Sequence, residues 1–198
     1  MTKTCPNLQK SLDWCQGTAV YPGIRRRIYY ISKQNIVDYP TLPRDENGRP
    51  TSTELKGDFS LASDATWKYI DVLVDKSKLT SEAQGEEPSQ TQLNKLEAVH
   101  PGVGAEASAA AAYLNNNDNV YLVQDMAGRY RVLGNDKWQT KSTVAQDLGQ
   151  GNNAAGTTIN AECTDEVPCP FYSGKIVTED GEINASPSAT TTKPSGGS

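Results

Sequence analysis

The 198-residue sequence predicts a mainly β protein, a β-sandwich or barrel-like domain with one flanking Ala-rich α-helix, a long loop and an arm at each end. Three observations carry that expectation. Val120 to Asn135, VYLVQDMAGRYRVLGN, alternates in apolar and polar character on both sides of Asp125-Met126-Ala127-Gly128, which is a hairpin signature closed by the turn pair Gly134-Asn135. Runs rich in β-formers recur along the chain between Gly, Pro and Asn punctuation. Only Gly102 to Asn117 reads as a clear helix.

Taken in order, residues 1–23 read as an N-terminal arm with a short amphipathic piece from Leu8 to Trp14, where Leu8, Leu12 and Cys15 share a helical face. Ile24 to Ser32, IRRRIYYIS, reads as a strand. Its consecutive Arg25, Arg26 and Arg27 alternate between faces and form no one-sided basic patch. Tyr39 to Gly57 is a polar, Pro- and Gly-punctuated loop longer than a compact domain needs. Gly57 to Ala62 reads as a short strand and Trp67 to Asp75 as the longest one, with Ile70, Val72 and Val74 on one face and Trp67, Tyr69 and Leu73 on the other.

Leu79 to Gln84 and Gln92 to Val99 are polar strands around the turn Gly85-Glu86-Glu87-Pro88, of the kind found at sheet edges or in hairpins. The helix follows, with Val103, Ala107, Ala110 and Leu114 as a stripe of mostly small side chains that lets it lie close against a sheet, on the hairpin's sheet or beside it, and Asn115 to Asn117 as its stop. Trp138 to Leu148 reads as a weak strand, Gly149 to Gly156 as a loop, and Thr157 to Cys163 and Phe171 to Val177 as the last two strands. Pro168 and Pro170 stiffen the bend between those two. The domain is expected to span residues 24–178, with 179–198 a Gly/Ser/Thr/Pro tail, flexible by composition.

Hydrophobic residues make up 36% of the chain and the net charge is −5, so it lacks the cationic surplus that gripping a nucleic-acid backbone requires. No run approaches the length of a membrane span, and the first residues carry no apolar signal core, which points to a cytoplasmic site of synthesis and reduced thiols. Cys5, Cys15, Cys163 and Cys169 are too widely spaced for a zinc ribbon or finger and read as buried or semi-buried free thiols.

Candidate chemistry is sparse. His100, the only histidine, stands beside Pro101-Gly102 with no nucleophile or carboxylate at triad spacing. Asp71 and Asp75 read as a polar sheet face before they read as an acid/base pair. Asp45, Asn47, Gly48 and Glu54 match part of a calcium loop, but Pro43 holds the first ligand position and no helices flank it, so Asp45 to Gly48 reads as a tight turn. Asn184-Ala185-Ser186 fits a glycosylation triplet that chance also supplies. No catalytic, cofactor-binding or metal-binding residue is assigned, and no cofactor or enzyme activity is expected.

Several stretches resemble the major tail tube proteins of phages and prophages of Bacteroidetes-type hosts. They are Cys5-Pro6, Leu12 to Gly17 (LDWCQG), Pro22 to Arg25 with Tyr29-Tyr30-Ile31, Ser81 to Gly85 (SEAQG), Gly128 to Asn135 (GRYRVLGN) and Pro170 to Gly174 (PFYSG). The order of elements is similar too, up to about Val177. The resemblance implies a virion protein whose homo-oligomeric, hexameric rings stack into a tube. It also implies sheets that join into an inner barrel, an acidic lumen through which DNA passes without specific binding, and tape-measure, terminator and baseplate proteins as partners, with no membrane.

One face of Trp67 to Asp75, or of the two polar strands after it, is then expected to line the lumen. The long loop and the N-terminal arm are expected to bridge subunits. A tail terminator, a baseplate hub, a capsid decoration protein or a bacterial surface adhesion sandwich are the alternatives.

Overall fold

A computed structural model describes residues 7–150 and 155–186 and shows a mainly β protein with one α-helix and no closed barrel. Its centre is the expected hairpin. Asn119–Asp125 (β7) pairs with Tyr130–Leu133 (β8), with Leu122 opposite Val132. The Gly128 N–H closes the turn onto the Asp125 carbonyl at 2.9 Å, and Gly128 takes the left-handed conformation (φ 88°) that such a hairpin needs before its second strand.

Ile24–Ser32 (β1) lies on the other side of β7, followed outward by Lys68–Asp71 (β4). Phe171–Tyr172 (β11) flanks β8, giving a five-stranded antiparallel sheet ordered β11-β8-β7-β1-β4. A second sheet, ordered β5-β6-β10-β9, comprises Lys78–Gln84 (β5), Thr91–His100 (β6), Lys141–Asp147 (β9) and Gly156–Asp165 (β10). Two short pairs complete the fold: Ile36–Asp38 (β2) with Ser60–Leu61 (β3), and Lys175–Thr178 (β12) with Gly181–Asn184 (β13).

Two apolar cores flank the five-stranded sheet. Ile24, Ile28, Tyr121, Val123 and Leu133 meet Leu96, Ala98, Ile159, Ala161 and Cys163 of the second sheet, which makes the sandwich. Tyr29, Ile31, Val120, Leu122, Tyr130 and Val132 point the opposite way and are covered by Leu55, Phe59, Trp67, Tyr172 and Ile176. Burial on both faces accounts for the unbroken apolar run Val120 to Val123. The hairpin therefore has two covering layers, where its half-apolar pattern predicted one.

The long loop supplies part of the second cover. Leu55 and Phe59 are buried, and Phe59 packs its ring against Tyr39, Trp67 and Tyr172 with centroids 5.7, 5.3 and 5.1 Å away. The Leu55 N–H donates to the Phe171 carbonyl and the Phe171 N–H to the Thr53 carbonyl, so the loop also closes the outer edge of β11.

Several expected elements are shorter or divided. Trp67 to Asp75 is not one strand: β4 ends at Asp71, and the chain then crosses between the sheets. The Val72 N–H donates to Arg26, the Leu73 N–H donates to Val99, and a 3₁₀ turn follows over Val74–Lys76. Phe171 to Val177 is likewise two strands. A Cβ on Gly174 would come within 2.2 Å of the Asp58 carboxylate and 2.6 Å of the Tyr172 hydroxyl, so the bend uses a residue without one.

Gly57 to Ala62 reduces to the two-residue β3. The helix (α1) is Ala105–Asn115, and its buried residues are Ala111 and Leu114 rather than the whole Val103-to-Leu114 stripe. It packs along β9 at the far edge of the second sheet, not on the hairpin's sheet. Residues 7–15 form no helix, so the amphipathic piece expected at Leu8 to Trp14 is absent. Pairing continues past 178 through β13 and buries Ala185, whereas 1–6 of the expected arm and 187–198 of the expected tail lie outside the described residues.

Candidate assembly surfaces

The residues singled out for chemistry are engaged in local structure. Asp71 accepts two hydrogen bonds from Arg27, at 2.8 and 3.2 Å, which hold its carboxyl below the ordinary range. Arg27 stacks on Tyr69 at 3.8 Å. Asp75 lies in the 3₁₀ turn that links the sheets. His100 Nδ1 lies 2.8 Å from the Asp71 carbonyl oxygen.

Asp45 accepts from the backbone N–H groups of Asn47 and Arg49 and pairs with the Arg49 guanidinium at 2.8 Å, which is the expected tight turn. Arg25 to Arg27 fall where β1 slips register against β7, so the strict alternation expected there is lost. Cys163 and Cys169 are buried, and burial pushes the Cys169 thiol up to about 11. Cys15, expected to be at least semi-buried, is exposed because the arm packs on no layer there, and Cys5 lies outside the described residues.

A cleft of about 560 Å³ lies between the long loop and the end of β8 and contains a charge cluster that the sequence did not reveal. Glu166 pairs with Arg44 at 2.9 Å and with Lys137. Desolvation raises the Glu166 pKa, but these two cations outweigh it and the net shift is downward. Arg44 comes from the loop, 122 positions from Glu166 in sequence, so no local spacing announces the pair. Among the described residues, no group of three or more His, Cys, Asp or Glu is placed to hold a metal ion.

The surfaces are more distinctive than the clefts. The outer face of the second sheet presents Lys78, Lys95 and Lys141 against Glu97, Glu82 and Glu162, paired at 3.0, 2.9 and 4.0 Å, with Thr80, Thr143 and Asn160 between them. This face is polar and charge-balanced rather than acidic. The sheet's two edges differ. On β9 the Asn115 side chain accepts from the Val144 N–H at 2.7 Å and donates to the Val144 carbonyl at 3.4 Å, so α1 covers that edge. On the other side β5 ends the sheet with seven residues and, among the described residues, no strand beyond it.

The arm is the third surface. Residues 7–15 are without regular structure, yet Leu12 is 96% exposed, Trp14 65%, Val20 77% and Tyr21 69%. Large apolar side chains this exposed are concentrated here, while the body of the fold buries most of its own.

No family model, curated protein or solved structure matches this chain.

Proposed function

We propose that this protein is a structural virion component, the repeating subunit of a phage tail tube, which assembles as stacked hexameric rings around a DNA conduit. The observation that carries the reading is the arm. Leu12, Trp14, Val20 and Tyr21 stay largely exposed on their own chain, and such side chains gain burial when a neighbouring copy supplies it.

The sandwich forms the rigid body of the subunit, and the outer face of the β5-β6-β10-β9 sheet lines the conduit. Its lysines and glutamates are matched by local pairing, so the face offers DNA phosphates no net positive field to hold them. In this reading free passage rests on charge balance and a neutral polar lining, not on the acidic lumen that the resemblance implies.

Negative-stain electron microscopy of the purified protein tests the reading. Tubes, or rings with a central channel that stack, are the expected result. Rings that never stack point to a terminator, and dispersed monomers at high concentration refute the tube subunit.

A further inference from the structure

The arm has a second regularity besides its exposure. In Asn7 to Cys15, NLQKSLDWC, the residues Leu8, Lys10, Leu12 and Trp14 alternate with Gln9, Ser11, Asp13 and Cys15. The period is two, three of the four residues on one side are large and apolar, and the other side is polar or small. That is the pattern of a half-buried strand, and the segment has no sheet to join.

A sheet with a vacant place is present in the same molecule. Of the edges of the two main sheets, β9 is covered by Asn115 and α1, β11 is closed by the loop through Thr53 and Leu55, and β4 is only four residues long. Among the described residues only β5 combines length with a bare edge, and no proline interrupts it.

The inward side of β5, with Leu79 and Ser81, opens onto a cleft of about 450 Å³. Ile24, Val123 and Cys169 line it with Asp125 and its partners Arg129 and Arg131, and Val20 and Tyr21 of the same chain border it.

We propose that residues 8–14 of one copy add as a fifth strand to the free edge of β5 in a second copy. The contact rests on the reading of this chain as a self-assembling subunit. Backbone hydrogen bonds from the β5 edge supply the affinity, and the alternate side chains supply the register. Leu8, Leu12 and Trp14 fill the cleft over Leu79, Ile24 and Val123, and Lys10 on the same side meets Asp125. Asp13 on the opposite side extends the outer face beside Lys78, continuing its alternation of charge.

The donor is another copy because the arm turns at Cys15 to Thr18, where the Thr18 N–H bonds the Cys15 carbonyl, and before that turn Leu12 and Trp14 stand clear of their own body. The nine residues 15–23 that link this segment to β1 span at most about 30 Å, so the strand can be offered away from its own body. A contact in which one copy's arm meets another's strand is heterologous, so it propagates head to tail and suits a ring.

Amide hydrogen exchange on the full-length protein, compared with a double variant Leu12→Asp/Trp14→Asp, tests this. Both side chains are exposed in the isolated subunit, so the variant folds with an unchanged melting temperature. The wild type is expected to self-associate, with the Leu79 to Gln84 amides exchanging on the order of tenfold or more slowly than in the variant, which stays monomeric.

A wild type that self-associates while β5 exchanges as fast as in the variant overturns the strand addition and leaves the assembly reading standing. A monomeric wild type with unprotected β5 defeats both. Protection of β5 within a monomer shows the arm folding onto its own strand and overturns the exchange between copies.

Discussion

Asp165 closes β10 with little solvent contact. Its Oδ1 accepts from the Glu166 N–H at 2.6 Å and the Val167 N–H at 3.4 Å, and its Oδ2 accepts from Asn135 at 3.1 Å. Desolvation outweighs these hydrogen bonds and raises its pKa above the ordinary 3.8. A carboxyl with a raised folded-state pKa favours folding most when protonated. Its contribution is complete below 3.8 and is lost as pH rises through the raised value.

Asp71 has the opposite sign, since Arg27 lowers its pKa. The stability it supplies is present above 3.8 and fades as pH falls through the lowered value, muted because both partners are well exposed. Asp165→Asn removes only the first term and leaves the second unchanged. The stability of the wild type relative to Asp165→Asn therefore increases from pH 7 to pH 4, read as the difference between the two melting temperatures. An equal difference at both pH values would show that Asp165 titrates normally. The sequence shows an Asp between Thr164 and Glu166 and nothing of this, because the burial comes from packing against Asn135, thirty positions away.

At the scale of elements, the Ala run from Ala109 to Ala112 made the helix visible, and its propensity is intrinsic. The task of that helix was hidden. One side-chain amide, Asn115, stands in for a neighbouring strand at Val144, and a single residue leaves no periodic trace. Asn115→Ala removes both hydrogen bonds and is expected to cost about 1 kcal/mol, because the site is partly solvated and water replaces some of what is lost. Urea unfolding measures it, and a variant as stable as the wild type would mean the helix covers β9 by packing alone.

The same limit applies to Trp67 to Asp75. Its alternation is continuous, but the partners change at Val72, where the backbone leaves β1 and meets β6, and pattern does not record partners. The β5 and β6 strands were legible because both are antiparallel neighbours with one polar face.

At the scale of the molecule, the decisive feature is that two cores share one sheet. β7 sends Val120 and Leu122 to one core and Tyr121 and Val123 to the other, so neither core can open without disturbing the strand that holds the second. The β-rich class was legible from hairpin and strand patterns, but the third layer was not. The loop from Tyr39 to Gly57 is polar in composition, and its packing rests on Leu55, Phe59 just beyond it, and the edge bonds to Phe171. The inner side of the loop is thereby committed to its own chain, which leaves only its outer parts for the bridging contacts proposed for it.

The shared sheet makes a definite demand on unfolding. Phe59→Ala empties part of one core and Leu96→Ala part of the other. Each is expected to cost on the order of 2–5 kcal/mol, the range for truncating a large buried side chain. The variants are studied with Leu12→Asp/Trp14→Asp in the background, so that any assembly does not enter the measurement. Far-ultraviolet circular dichroism reports the strands, and tryptophan fluorescence reports Trp67 in one core and Trp138 at the margin of the other. Both signals are expected to move together to one lower midpoint in each variant, because a defect in either core is transmitted through β7 to the whole. A Phe59→Ala protein that loses its Trp67 signal early while the strands persist would show the loop layer to be a separate, weaker unit, and the five-stranded sheet would then not be the common support of both cores.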